Sequence, residues 1–507
     1  MGFIYRYEFK NKSNREKVDL EDYKDMIVTA IEGAFDQNLD FVDVFSDFYE
    51  FRLKESLPTT SELQSLGKKI VRADPLLDSI KKVYKKNSQL FRRKRNSYYG
   101  FLEDIGYENG MYFLKFDLVD KEDSDRIQNG TEGTQLTKVD LLNKLNTFSM
   151  ILEIGEQDPI AKKIRDFSGD EIEEIASRWY LLTGKHVKRG NSLLFLDYTE
   201  RQDIASNFML YSISELEETG IGWLESFFSL NEIDYQEDTD LEDNEEDFFI
   251  GVYNVGQGLC SAICNYKSQP MLYFDFGGGE RKDTVTFPED IKYCFSQKPK
   301  IILSHLHRDH WIGANRCEEA LEMEWVVPPQ KEKGAQVIKL FADISKKGKL
   351  TVLKSSTGVK KTSYGNLFIC TGNNSHYHNN GIGFLVETKN SERYLMPGDN
   401  RYQHIPTQFL EDLNGIVASH HGGEYFQNKT GKSCIPQNSK QGEIVYSYGK
   451  HKKFDPKYNS HGHPSYVKEY IAKNWKTALH TPKGHCVLGP TKKANKCSCG
   501  CNLEFKW

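Results

Sequence analysis

Three aliphatic residues, Ile301-Ile302-Leu303, run directly into Ser304-His305-Leu306-His307-Arg308-Asp309-His310. A short apolar run of this kind reads as a buried strand. The H-x-H-x-D-H segment after it puts four ligand-type side chains into six positions of a loop. A loop at a strand end can fold back so that His305 and His307 face one cation while Asp309 and His310 face a second. Imidazole and carboxylate donors suit Zn²⁺, and also Mn²⁺ or Fe²⁺.

The rest of the chain is organised around that segment. Of 14 histidines, only His186 lies before residue 305. Charge is equally uneven: residues 248–507 carry a net +13 and residues 1–247 a net −19. Between the halves, residues 232–247 contain ten acids and no base, a composition that cannot bury a core and predicts a solvated linker. Residues 1–231 read as an α-rich α+β region of one or two domains. Helices are expected at 17–35, 136–149, 170–184 and 207–229, and strands at 110–119 and 192–198. Residues 248–507 instead show short apolar runs ending in glycine or polar residues, with helical patterns at 312–323, 334–346 and 464–475. Strands first, then strands alternating with helices, predict two packed sheets covered by helices.

With these motifs in view, the second half resembles the metallo-β-lactamase superfamily. The resemblance implies an αββα sandwich over 248–507, preceded by the α-rich region, and an overall α+β class. It also implies a ligand set read in chain order. Asp275 in YFDFGGG would support the ligand loop. His378 in HYHNNGIGFLVE would be the next ligand, with His376 as the competing choice. Asp399 in YLMPGDN would bridge two cations. ASHHGG offers His420 and His421, with His421 favoured as the ligand and His420 as a substrate or supporting contact. NVGQG (254–258), FDFGG, PGD, SHHGG, SYG (447–449) and GHP (462–464) occur in the order of the branch that includes the soluble domain of the competence protein ComEC. Two positions depart from that branch: Leu259 stands where an acid is usual, and Gly423 where serine is common.

The resemblance further implies a hydrolase with two divalent metal ions, Zn²⁺ or Mn²⁺, that uses a metal-bound hydroxide. Asp309 would orient the water and His463 would contact substrate or leaving group. The +13 charge favours an anionic substrate. Lys346, Lys347, Lys349, Lys354, Lys360 and Lys361, then Lys450, Lys452, Lys453 and Lys457, are expected to rim the site. A phosphodiesterase or nuclease acting on DNA or RNA is therefore the leading expectation. Hydrolysis of a small ester, thioester or lactone is the second, and a non-catalytic metal-binding interaction protein the third. The N-terminal region is a candidate for recognition, regulation or a protein partner. Its basic run Lys81–Phe101 carries aromatics suited to nucleic-acid stacking or to a solvated helix face.

Ten cysteines lie after residue 259, a count that suggests reduced thiols rather than a disulfide framework. Cys497, Cys499 and Cys501 alternate, with His485 and Cys486 nearby, and fit either a structural zinc site or plain thiols. No run approaches the roughly 18 apolar residues of a membrane span, and the first residues lack the apolar core of a secretory signal. A cytoplasmic location with no membrane partner is expected.

Overall fold

The computed structural model describes residues 96–507, apart from 109–110, 131–135, 159–160, 162–177, 187–191, 197–204, 217, 231–232, 234–235, 238–247, 280–285, 289, 331–333, 355–357, 373–376, 424–433, 450–463, 490–496, 498, 500, 502–504 and 506–507. The helix expected at 17–35, most of the basic run and most of the acidic stretch lie outside the described residues. So do His376, His463 and Lys450–Lys457. Residues 95–507 form one compact unit. The described chain is a mixed α/β structure built mostly of sheet.

The α-rich expectation gives way over the first described residues. Six strands close into an antiparallel barrel: β1 (Asn96–Glu108), β2 (Met111–Asp120), β3 (Thr147–Gly155), β4 (Trp179–His186), β5 (Ser192–Leu196) and β6 (Ala205–Glu215), in the order β1-β2-β3-β5-β6-β4. The strands expected near 110–119 and 192–198 are β2 and β5. The helical patterns mislead because apolar residues spaced two apart also recur at four, so alternation within β4 and β6 imitates a helix face. Short helices do occur: α1 (Lys121–Gln128), α2 (Lys138–Lys144), within the expected 136–149, and α3 (Glu218–Phe227), within the expected 207–229. Phe116, Leu118 and Leu182 converge on Gly100, where a Cβ would lie 2.5–3.3 Å from all three. Tyr98, Phe148 and Phe208 pack edge-on nearby, and all three are fully or almost fully buried.

The remaining strands form two sheets. The first runs β21 (Cys486–Leu488), β8 (Phe248–Val252), β9 (Cys260–Asn265), β10 (Pro270–Phe276), β11 (Lys300–Ile302), β12 (Glu324–Val327), β13 (Lys349–Val352) and β7 (Gln236–Glu237). Thus two residues of the acidic stretch pair in parallel with Thr351 and Val352. The second sheet runs in sequence order: β14 (Val359–Thr362), β15 (Gly365–Ile369), β16 (Ile382–Glu387), β17 (Arg393–Met396), β18 (Gly415–Val417), β19 (Glu443–Tyr446) and β20 (Thr477–His480). Each sheet begins antiparallel and then turns parallel, at β10–β11 and at β17–β18. In open sheets with parallel strands, binding sites collect beyond the carboxyl ends of those strands.

Alternation decides which face each side chain takes. Ile250, Val252, Ile263, Leu272, Phe274, Ile302 and Val326 of the first sheet meet Leu367, Phe384, Val386, Met396, Val417 and Val445 of the second. Burying each such side chain contributes about 1.5–3 kcal/mol. The outer face of the second sheet packs Leu385, Leu395, Ile416 and Ile444 against Tyr470 and Trp475. The outer face of the first sheet packs Tyr273, Ile301 and Trp325 against helix α5 (Ala335–Lys347) and against the barrel's Phe101, Val119 and Trp179. The two shorter helices of this region are α4 (Glu318–Leu321), within the expected 312–323, and α6 (Val467–Ala472), within 464–475.

Polar contacts tie the barrel to the same face. The Asp117 carboxylate accepts the Gln336 backbone N–H at 2.8 Å, in the first turn of α5, where a negative charge is favoured. The Gln336 amide donates to Ser149 at 3.0 Å, and Lys339 Nζ donates to Thr147 at 3.3 Å. Among the described residues, no helix is long and apolar enough to cross a membrane.

Candidate metal centre

Most of the motif residues that the structure describes lie beyond the carboxyl ends of strands, while Asp275 lies within β10 and His378 in the loop before β16. Ser304–His310 comes after β11, Asp399 after β17, His420 and His421 after β18, and Ser447 after β19. Three overlapping groups result, each offering ligand atoms within 4.8 Å of one another: His305, His307 and His378; Asp309, His310, Asp399 and His421; and His378, Asp399 and His420. Asp399 and His378 link the groups. Asp399 Oδ2 lies 3.2 Å from His310 Nε2, 3.6 Å from His421 Nε2 and 3.9 Å from His378 Nε2. The cluster is deeply recessed, with Asp309 its most open side chain at 13% exposure.

The outward nitrogen of four imidazoles is tied to the protein. His305 Nδ1 is 3.0 Å from Ser304 Oγ, His310 Nδ1 is 2.8 Å from Asp275 Oδ2, and His421 Nδ1 donates to the Ser447 carbonyl at 2.7 Å. These contacts leave Nε2 of each facing the cluster. His307 is reversed: its Nε2 donates to the carbonyl of Glu103 at 3.1 Å, leaving Nδ1 for the cluster. Glu103 belongs to β1 and sits at a bulge, where pairing with β2 slips between Leu102 and Asp104. A bulge re-aims backbone groups that a regular ladder would consume. The barrel therefore fixes the orientation of one candidate ligand, as outer partners do in metal sites.

Asp275 is the hub on the other side. It is fully buried, accepts Ser304 N–H at 2.6 Å and Ser304 Oγ–H at 2.8 Å, and adopts a left-handed backbone (φ 60°). Burial pushes its carboxyl up, against the pull of His310 and Ser304. Asp275→Ala is expected to weaken divalent-ion binding roughly 10–100-fold, measured by competition against a chromophoric chelator; unchanged affinity would remove Asp275 from the site.

His420 and His421 both take left-handed backbone angles (φ 51°, ψ 42° and φ 57°, ψ 12°). Such conformations cost about 1–2 kcal/mol per residue and persist where surrounding contacts over-determine them. Here Ser419 Oγ donates to the Asn400 carbonyl at 2.7 Å, and Ser419 N–H to Tyr402 Oη at 3.1 Å. Gly423 N–H closes the turn on the His420 carbonyl at 2.7 Å. The turn sends His421 toward Asp309 (Nε2 to Oδ2, 3.0 Å) and His420 toward His378, with ring centres 5.0 Å apart.

The glycine motifs have a steric cause. A Cβ on Gly277 would lie 1.7 Å from the Asp309 carbonyl oxygen, and one on Gly258 2.5 Å from it. Leu259 N–H donates to that carbonyl at 3.2 Å, while its side chain joins the core between the sheets. Ser447 Oγ donates to the Gly258 carbonyl at 2.8 Å and Gly449 N–H to Gln257 at 3.2 Å, joining SYG to NVGQG.

Charges within the cluster offset one another. Burial disfavours charge on Asp399 and Asp309, but His310 and His421 outweigh it, and both carboxyls are held well below the usual range. Lys115 also acts on Asp309 from the barrel. His310 is driven up, since Asp399, Asp275 and Asp309 overcome its burial. His305 moves the other way, pushed down by burial and by His310 and His307.

The donor chemistry fits divalent cations. His305 Nε2 is buried with no hydrogen-bond partner, an arrangement that otherwise costs on the order of 1–3 kcal/mol. Three imidazoles make one group, while two carboxylates and two imidazoles make the other. Five of the ten lysines expected at the rim, Lys346, Lys347, Lys349, Lys360 and Lys361, lie elsewhere. Lys346, Lys347 and Lys349 lie at the end of α5 and the start of β13, at the opposite end of the parallel strands from the cluster. Lys349 pairs with Glu324 at 3.0 Å. Lys360 and Lys361 lie on the edge strand β14, three strands from β17. Periodicity alone does not reveal which end of a strand a basic residue occupies. The contacts of Glu103 and Ser304 carry no sequence signal, whereas the SYG motif does mark Ser447.

No family model matches the chain, and no curated protein matches it.

Proposed function

We propose that the chain is a metal-dependent hydrolase of the metallo-β-lactamase type, an αββα sandwich acting on a phosphodiester. The observation that carries this reading is Asp399, which reaches both a three-histidine group and an Asp/His group within 3.9 Å. His305, His307 and His378 would hold one divalent ion, and Asp309, His310 and His421 the other, with Asp399 shared. Zn²⁺ and Mn²⁺ suit these donors. When bound, such a pair supplies Lewis acidity and activates water at neutral pH.

The chain's own groups then have distinct tasks. Asp309 is positioned by the contact of its backbone carbonyl with Leu259 N–H, so its carboxylate can orient a water. His420, brought beside His378 and Asp399 by the left-handed turn, contacts the substrate. His463, outside the described residues, retains its assignment to the substrate or leaving group.

The recess of the cluster supports a second reading, a small ester, thioester or lactone as substrate. One experiment separates them. Purified full-length protein is supplied with Zn²⁺ or Mn²⁺ and offered labelled single- and double-stranded DNA and RNA, bis-p-nitrophenyl phosphate, and thioester and lactone substrates. Phosphodiester cleavage that stops on chelation is expected. Turnover of the thioester or lactone alone would replace the leading reading with the second. We also place the protein in the cytoplasm, with no membrane partner.

A further inference from the structure

A second cluster lies apart from the histidines. Cys294, Cys497, Cys499 and Cys501 bring four sulfur atoms within 4.8 Å of one another. Cys294 is 203 residues from Cys497 in sequence. It sits in the segment before β11, anchored by Tyr273, whose hydroxyl donates to the Cys294 carbonyl at 3.1 Å and accepts its N–H at 3.3 Å. Cys294, Cys497 and Cys501 are buried, and Cys499 is exposed.

We infer that these four thiols form a structural zinc site that staples the C-terminal segment to the loop leading into β11. Four cysteine sulfurs around one point are a closed donor set of the kind zinc takes in structural sites. With Zn–S bonds near 2.3 Å, the tetrahedron has edges of about 3.8 Å. The Cys294–Cys497 separation is 3.7 Å; Cys294–Cys499 and Cys497–Cys499 are closer, at 2.9 and 2.6 Å. None of these separations is the roughly 2.05 Å of a disulfide bond. The alternating C-x-C-x-C spacing supplies three ligands within five residues, and the distant Cys294 supplies the fourth.

The other sulfur and imidazole near the tail are engaged elsewhere. Cys486 lies in β21 within the core between the sheets, and His485 Nδ1 accepts the Asn254 N–H at 3.0 Å. Beyond the cysteines, Phe505 packs against Phe249 and Tyr253, with ring centres 5.4 Å away in both cases, and fills the space over Gly251. The staple thus holds an apolar closure of the outer face of the first sheet. On binding, the thiols release their protons and the ion takes four thiolates.

The test uses full-length protein purified under reducing conditions and reconstituted with Co²⁺. No cysteine belongs to the histidine cluster, so thiolate-to-cobalt charge-transfer absorption reports this site alone. The expected result is a tetrahedral thiolate spectrum. It should persist in Asp399→Ala and Cys486→Ser and be lost in Cys294→Ser. Four cysteines should also resist alkylation in the wild-type protein until a chelator is added. Absence of the charge-transfer bands, ready alkylation of all ten cysteines, or an intact mass about 2 Da low for a disulfide would each overturn the assignment. These readouts use the wild-type chain, so they stand even where a cysteine variant fails to fold.

Discussion

Asp399→Ala is expected to lower hydrolysis on the order of a thousandfold or more while the protein stays folded. Outer partners of metal ligands are each worth about 10–100-fold in affinity or activity. Asp399 is placed at the centre instead, with Oδ2 3.2 Å from His310 Nε2 and 3.6 Å from His421 Nε2. His378 approaches the same oxygen at 3.9 Å. Its loss removes the one carboxylate shared by the groups and leaves facing imidazoles without a counter-charge. Asp399→Asn should be nearly as severe, because it keeps the shape and removes the charge. The check is kcat/KM on the substrate identified, with bound metal counted in the same preparations and thermal melts to show folding. Activity within tenfold of wild type would count against a two-ion centre at this position.

The second large effect lies in the barrel, far from the motif in sequence. Phe101→Ala is expected to cost about 3–5 kcal/mol, the range for deleting a buried aromatic side chain. Phe101 is fully buried, with ring centres 5.5 Å from Trp179 and 6.1 Å from Tyr377. Tyr377 lies 5.2 Å from the His307 ring, and Glu103, two residues along β1, holds His307 Nε2. A cavity at Phe101 should therefore loosen a candidate ligand as well as the core. Chemical denaturation should show a lower midpoint, and divalent-ion affinity should fall with it. Phe113→Ala is the comparison, since Phe113 packs with Ile151 in a small separate cluster. That variant should lose stability and keep its metal affinity. Equal affinity in both variants would mean that the barrel does not support the site.

How much of this is readable in the sequence depends on where each contact originates. The candidate ligand loop is legible because three aliphatic residues and H-x-H-x-D-H are contiguous. Asp275, His378, Asp399, His420 and His421 can be sought only through a family resemblance, since nothing local in PGD or SHHGG announces a cluster. The barrel strands imitate helices. In β6, Phe208, Leu210 and Ser212 alternate with Met209 and Tyr211, a pattern whose every second repeat coincides with a helical spacing. Glu103 is beyond the reach of sequence because its contribution is a backbone carbonyl exposed by a bulge, which any residue type supplies. Cys294 is hidden for a different reason. Cys497–Cys501 suggest three candidate donors, but a fourth thiol 203 residues away is visible only once the segment before β11 folds over the outer face of the first sheet. The lysines show the converse error, because net charge is blind to which end of a strand carries it.

The most direct test of a two-ion centre is a crystal structure of the full-length protein grown with Zn²⁺, with anomalous diffraction recorded at the zinc edge. Two peaks are predicted in the histidine cluster, one against His305, His307 and His378 and one against Asp309, His310 and His421, with Asp399 touching both. A cluster with no anomalous signal, or ions held by other side chains with Asp399 turned away, would contradict it.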